Sequence, residues 1–255
     1  MNEVLLLVAG LIGGALNTLA GGGSFLVFPA LLAAGVPPVL ANASNTFAAL
    51  PGYVSGAIGL WKDVVAYRDR LLVYGLVAAV FGYAGAELLL HVSDAQFSVV
   101  VPWLMLFAVV LFAFGGRINA FVANRSGASR RARAVGAAVL LLILAAVSLY
   151  GGFFNAGLGV LLLAFLTLAG IGSIHAANGL KLVISSLIAL VAVARFALAG
   201  SIDWYHGGIA LLGVTVGAYV AARLSHRIPT AVIRALVIVY GVALTAYFFW
   251  KTYLA

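Results

Sequence analysis

Long apolar runs follow one another from Val4 almost to the last residue, broken only by short polar or basic stretches. The longer runs reach the ~20 residues that a helix needs to cross a bilayer. Only 8% of residues are charged and 65% are hydrophobic, against ~25% charged in an ordinary soluble domain. Within lipid every backbone N–H and C=O must be satisfied inside the protein, which leaves helices and closed barrels. A barrel would need short alternating strands, and none are visible. The chain is therefore expected to be all-α and polytopic. Apolar elements are read at 4–20, 23–35, 38–60, 71–90 and 96–114, then at 135–154, 157–171, 174–199, 205–222 and 231–250. The elements 23–35 and 157–171 are short. At ~1.5 Å per residue they barely span a ~30 Å core, so each reads as a half-helix or one arm of a broken helix. Counted separately they give ten elements, and merged with their predecessors they give eight.

A weak internal echo divides the chain. Gly13-Gly14-Ala15-Leu16-Asn17 returns as Gly151-Gly152-Phe153-Phe154-Asn155. A Gly-x-Gly follows each time, at Gly21 and Gly23 and again at Gly157 and Gly159. Ala41-Asn42 returns as Ala177-Asn178, with Asn45 and Lys181 three residues further on. Matching glycine and polar breaks in two apolar halves are the mark of a repeat-built secondary transporter. The expected organisation is a first transmembrane repeat over 1–114, a basic linker over 115–134 and a second repeat over 135–255, with four to five helical elements in each half.

Loop charge sets the orientation. Lys62, Arg68 and Arg70 lie in 61–70; Arg117, Arg125, Arg130, Arg131 and Arg133 lie in 115–134; Arg223, Arg227 and Arg234 lie in 223–234. The loops 91–94 and 200–204 carry neither Lys nor Arg. The positive-inside rule puts the first three in the cytoplasm and the last two outside. Loops 61–70 and 200–204 hold matching places in the two halves yet fall on opposite sides. The repeats are thus expected to be inverted, with both termini outside a cell inner membrane. The start Met1-Asn2-Glu3 has no basic n-region, so the first helix is expected to be retained rather than cleaved.

Several function classes are disfavoured. The net charge of +8 sits mainly in loops, where topology accounts for it, so no nucleic-acid partner is expected. Cysteine is absent, which removes thiolate metal sites and a cysteine nucleophile. No nucleophile–base pair or paired carboxylate gathers in one region, and no phosphate-binding G-x-x-x-x-G-K-[ST] occurs. Neither an enzyme nor a cofactor or metal site is expected.

The candidate site is built from the interior polar residues. Lys181 lies well inside its apolar segment, where a charge costs at least ~2.5–3.5 kcal/mol on insertion scales and marks function by default. The competing explanation is a lysine that snorkels along its stem to the headgroups, and Arg195, close to a segment end, fits that explanation better. The run Gly21-Gly22-Gly23 costs ~1 kcal/mol per glycine in a helix and lets the chain unwind and restart at Ser24. A restarted helix offers free N–H groups to an anion, and Ser24 can cap it. Close packing by small residues is the alternative. Asn17 and Asn155 match, as do Asn42 and Asn178. Asn42 shares a helix face with Asn45, and Asn178 with Lys181. Thr46 adds a hydroxyl. Amides and hydroxyls donate to oxyanions and lysine neutralises them; the plainer role is interhelical hydrogen bonding. The substrate-binding set is Asn17, Gly22, Gly23, Ser24, Asn42, Asn45, Thr46, Asn155, Asn178 and Lys181.

The segment from Gly13 to Gly59, with Leu16-Asn17-Thr18-Leu19-Ala20-Gly21-Gly22-Gly23-Ser24 and Ala41-Asn42-Ala43-Ser44-Asn45-Thr46, resembles the TauE/SafE sulfite exporter family, also called the toluenesulfonate uptake permease family. The second half adds Gly151-Gly152-Phe153-Phe154-Asn155-Ala156-Gly157-Leu158-Gly159 and Ala177-Asn178-Gly179-Leu180-Lys181. The resemblance covers essentially the whole chain. It implies an inner-membrane transporter of sulfite, sulfonates or related sulfur-containing anions, commonly drawn with about eight helices. An anion channel and a non-transport membrane assembly protein are the alternatives.

Overall fold

The computed structural model describes residues 2–123, 130–224 and 230–254. Among them are eleven helices and no strand: α1 (Asn2–Ala20), α2 (Ser24–Ala33), α3 (Pro38–Gly59), α4 (Trp61–Val65), α5 (Arg68–Leu90), α6 (Asp94–Ala123), α7 (Arg130–Phe153), α8 (Leu158–Leu168), α9 (Ile174–Leu198), α10 (Trp204–Leu224) and α11 (Thr230–Tyr253). Ten of them coincide with the ten apolar segments. The eleventh, α4, is five residues long and carries Lys62 and Asp63, so hydropathy reads it as loop. By length and composition α5, the stretch 136–153 of α7 and the stretch His175–Leu198 of α9 are long and apolar enough to cross a membrane.

Helices α6 and α7 run further into the basic stretch than the apolar segments do, to Ala123 and from Arg130. Arginine and alanine both favour the helix, so Arg130-Arg131-Ala132-Arg133-Ala134 continues it without apolar help. Residues 124–129, with Arg125, and 225–229, with Arg227, lie outside the described residues.

The breaks fall at the glycines. Gly21 (φ +81°) and Gly157 (φ +80°), which hold matching places in the echo, both adopt the left-handed conformation that other residues avoid. The chain therefore reverses after α1 and again after α7. Helix α2 is ten residues long, about 15 Å, or half a hydrocarbon core. Its first turn lies against the middle of α1, where a Cβ on Gly23 would collide with the Gly13 carbonyl. Its far end returns to the start of α1, where Asn2 Nδ2 donates to the Ala34 carbonyl at 3.5 Å. Helices α1 and α2 thus form a hairpin whose open end lies at one end of the bundle.

The second hairpin, α7 and α8, opens at the other end. Arg70, in the first turn of α5, donates to the Ala169 carbonyl just past α8 at 2.7 Å. The opposite end of α5 meets the last turn of α9, where Glu87 pairs with Arg195. That is also the end where Tyr205, opening α10, donates to Glu3 at 2.9 Å. There Val39 N–H, opening α3, donates to Asp94 at 2.8 Å.

The two halves interlock. Helix α1 packs along α10, and α7 packs along α5, so each hairpin leans on the fourth long element of the other half. The two seams agree position for position. A Cβ on Gly14 would collide with the Val214 carbonyl, and one on Gly152 with that of Gly82. A Cβ on Gly217 would collide with the Leu11 carbonyl, and one on Gly85 with that of Leu149. Small residues that let backbones touch are the usual means of helix association in lipid, where water supplies no driving force between helices. Helices α3 and α9 cross at the centre and carry the interior polar residues.

Candidate functional site

The two glycine breaks meet. A Cβ built on Gly159 would stand 3.4 Å from Gly21 Cα, and one built on Gly21 would stand 3.6 Å from Gly159 Cα. The tips of both hairpins are therefore in van der Waals contact in the interior. Phe154 fixes the second tip: it is fully buried, edge-on to Phe28 at 5.6 Å and to Phe97 at 6.2 Å. The asparagine that follows it has little freedom to move.

Lys181 runs to this junction. It is 5% exposed, its Cδ lies 3.6 Å from the Cβ position of Gly159, and its Nζ donates to Asn178 Oδ1 at 3.2 Å. The stem therefore lies along the glycine break instead of reaching out to the headgroups. Asn155 is 2% exposed; its Oδ1 accepts from the Tyr53 hydroxyl at 3.0 Å, while its Nδ2 is buried with no partner. Asn17, the repeat mate of Asn155, reaches the same Tyr53 hydroxyl. One tyrosine thus stands between the matched asparagines of the two halves. A buried amide N–H₂ without an acceptor is costly, at about 1–3 kcal/mol.

Asn42 holds the second tip in place, with Nδ2 donating to the Phe153 carbonyl at 2.8 Å. Its Oδ1 is buried and unpartnered. Thr46 donates to the Asn42 carbonyl one turn back at 3.1 Å, so its proton serves its own helix. Asn17, Gly23, Ser24 and Asn45 line a small cavity of about 10 Å³ between α1, α2 and α3, together with Gly13 and Val214. Gly22 is buried beside it, and its carbonyl accepts the Phe25 N–H at 3.2 Å.

One expectation needs correction. Ser24 is the first residue inside α2, not its cap; Gly23 holds the N-cap place and no side chain bonds there. Ser24 lines the cavity, three residues after the chain reverses at Gly21. Arg195, in the last turn of α9, is paired. Its guanidinium forks onto the Glu87 carboxylate, with Nη2 to Oε1 at 3.1 Å and a second, shorter bond from Nε. Ser44, a neighbour of Asn45, is likewise taken up: its Oγ accepts the Asp203 N–H at 2.9 Å and ties α3 to the start of α10.

Tyr53 was not among the expected residues, although it lies eleven residues after Asn42 and eight after Asn45, on the same face of α3. Ser185 is 1% exposed, one turn beyond Lys181, and Ser148 is buried with its hydroxyl unpartnered. Helical spacing signals Tyr53 and Ser185. Ser148 has no such signal.

Comparison with known proteins agrees with this architecture. The family model for the sulfite exporter TauE/SafE matches residues 6–248. A probable membrane transporter protein of Haemophilus influenzae is 29% identical over 245 residues, covering 95% of this chain and 92% of its own. The probable membrane transporter protein ORF9 of a Sinorhizobium species is 27% identical over 241 residues, covering 94% and 89%. The probable membrane transporter protein YfcA of Escherichia coli K12 is 28% identical, covering 95% and 87%. No solved structure matches.

Proposed function

We propose that this chain, which belongs to the TauE/SafE sulfite exporter family, is a secondary transporter of small sulfur-containing anions such as sulfite or organosulfonates. The observation that carries the reading is the meeting of both glycine breaks beside a buried lysine. Lys181 supplies the positive charge, and the free Nδ2 of Asn155 supplies a donor 26 positions earlier in the chain (181 − 155 = 26). Asn178 orients the ammonium.

Alternating access is the mechanism this arrangement suits. Hairpins opening toward opposite ends, and seams that exchange partners between halves, support an inverted repeat rocking about the α3–α9 crossing. The start of α1 and the start of α10 lie at the end away from Arg70. With Lys62, Arg68 and Arg70 cytoplasmic, both termini stand outside the inner membrane. On this reading 1–114 is the first repeat, 115–134 the basic linker and 135–255 the second repeat.

The test is anion flux in proteoliposomes with sulfite, an alkyl sulfonate, thiosulfate, acetate and chloride side by side at two pH values. A response confined to the sulfur oxyanions is expected. Equal flux for all five, or none, sinks the substrate reading.

A further inference from the structure

The two-fold echo is broken at one place in the interior, and the break has a shape. Asn45 and Lys181 hold matching positions, as do Gly23 and Gly159, while Ser24 is matched by Val160. In the second half the Lys181 stem lies against Gly159, with Cδ 3.6 Å from its Cβ position. In the first half the corresponding space beside Gly23 is the cavity of about 10 Å³ lined by Asn17, Ser24 and Asn45. All three side chains are at least nine-tenths buried, at 9%, 6% and 2% exposure. Asn45 and Ser24 make no side-chain hydrogen bond among the described residues, whereas their neighbours Asn42, Ser44 and Thr46 do.

We infer that this cavity binds a monovalent alkali cation of sodium size, the counterpart in the first half of the Lys181 ammonium in the second. Two observations converge. The space holds one water-sized particle, so a dehydrated small ion fits and a hydrated one does not. Its lining includes Asn17, Asn45 and Ser24, whose side chains each carry a hard neutral oxygen. No carboxylate lines it, which disfavours a divalent ion that needs charge to offset its own. The matching place in the other half is filled by the Lys181 stem, whose ammonium continues to Asn178, so the first half lacks the cation that the second carries covalently.

The role follows from the transport reading and rests on it. An anion held beside Lys181 would be balanced from the other hairpin by a mobile cation, which would couple anion movement to the cation gradient. Binding itself does not depend on which anion is carried.

The experiment is thermal unfolding of the full chain in lipid nanodiscs, in sodium, lithium, potassium or choline chloride at constant ionic strength. A saturable rise of about 5 °C in sodium over choline is expected, following mass action at a specific site. Ser24→Ala and Asn45→Ala should each lose most of that rise. Asn45→Lys should unfold as high in choline as the parent does in sodium and no longer respond to sodium. If Asn45→Ala does not fold, Ser24→Ala decides the same point. Equal midpoints in all four salts, or a sodium rise that survives in Ser24→Ala, would leave the cavity as a water site and overturn the inference. Chloride is the sole anion present, so a chain that moves no sulfur oxyanion can still show the rise. A sulfite transporter without a cation site fails here alone.

Discussion

The hairpin α1–α2 and the hairpin α7–α8 share a backbone and differ in what fills it. Both reverse at a left-handed glycine, and both press a glycine-lined seam against a helix of the opposite half. Around the first tip stand Ser24 and Asn45, facing a cavity. Around the second stand Val160 and Lys181, and the lysine stem lies in the matching space. Packing symmetry builds the frame, and polar asymmetry at its centre gives the two halves different tasks. A perfectly symmetric interior would bind one chemistry twice; this one sets a fixed charge opposite a neutral, donor-lined hollow.

The frame can be broken first. Gly14→Val and Gly152→Val should each destabilise the fold by about 3 kcal/mol or more, because the new side chain meets backbone that cannot move aside. Size-exclusion profiles and unfolding midpoints of the two variants should agree. A large loss in one and none in the other would show that the seams are not equivalent. The asymmetry comes next. Lys181→Met should lower sulfite flux about 100-fold while the protein stays folded, since the buried charge is the proposed partner of the anion. Full flux in a folded Lys181→Met protein would remove the lysine from the site.

Tyr53→Phe tests the link between halves. It removes the hydroxyl that meets Asn155 at 3.0 Å and faces Asn17, at a cost of about 1–2 kcal/mol. Flux should fall by about 5- to 20-fold, with the midpoint also lowered. A changed midpoint with unchanged flux would confine Tyr53 to structure. The smallest effect belongs to the loop before α10. Burial works to raise the Asp203 carboxyl, but bonds from the His206 backbone and ring outweigh it and hold it below its usual value. A depressed carboxylate contributes stability above its unfolded value of about 3.9, and that contribution disappears as pH falls through the lower folded value. Asp203→Asn should therefore cost about 1 kcal/mol at pH 7. Its midpoint should converge on the parent below about pH 4. A gap that persists in acid would assign the loss to geometry instead of charge.

Most of the frame can be read in the chain because lipid allows few solutions. A run of apolar residues of that length has to be a helix, and a triple glycine inside it has to be a break. The five residues of α4 escape such a reading because Lys62 and Asp63 interrupt the hydropathy. At the site, repeat matching singles out Asn17, Asn155, Asn42, Asn178 and Lys181, since self-comparison needs no structure. What it does not contain is contact across elements. Glu87 and Arg195 lie 108 residues apart, so neither predicts that the other will neutralise it. Tyr53 has no repeat mate of its own kind, with Ala189 in its matching place, and a search for matches passes over it.

The exchange of partners between halves also sets the order in which the chain can be completed during synthesis. Helix α1 is made before the other ten described helices, yet the helix that covers its glycine seam, α10, ends only at Leu224. For nearly the whole of translation that narrow face stays uncovered, whereas α7 finds α5 already in place. A ribosome stalled in the second half would thus leave an adhesive first helix in the bilayer, able to pair with any other small-residue face. Insertion factors that shelter such a surface would be needed by the beginning of this chain and hardly at all by its end.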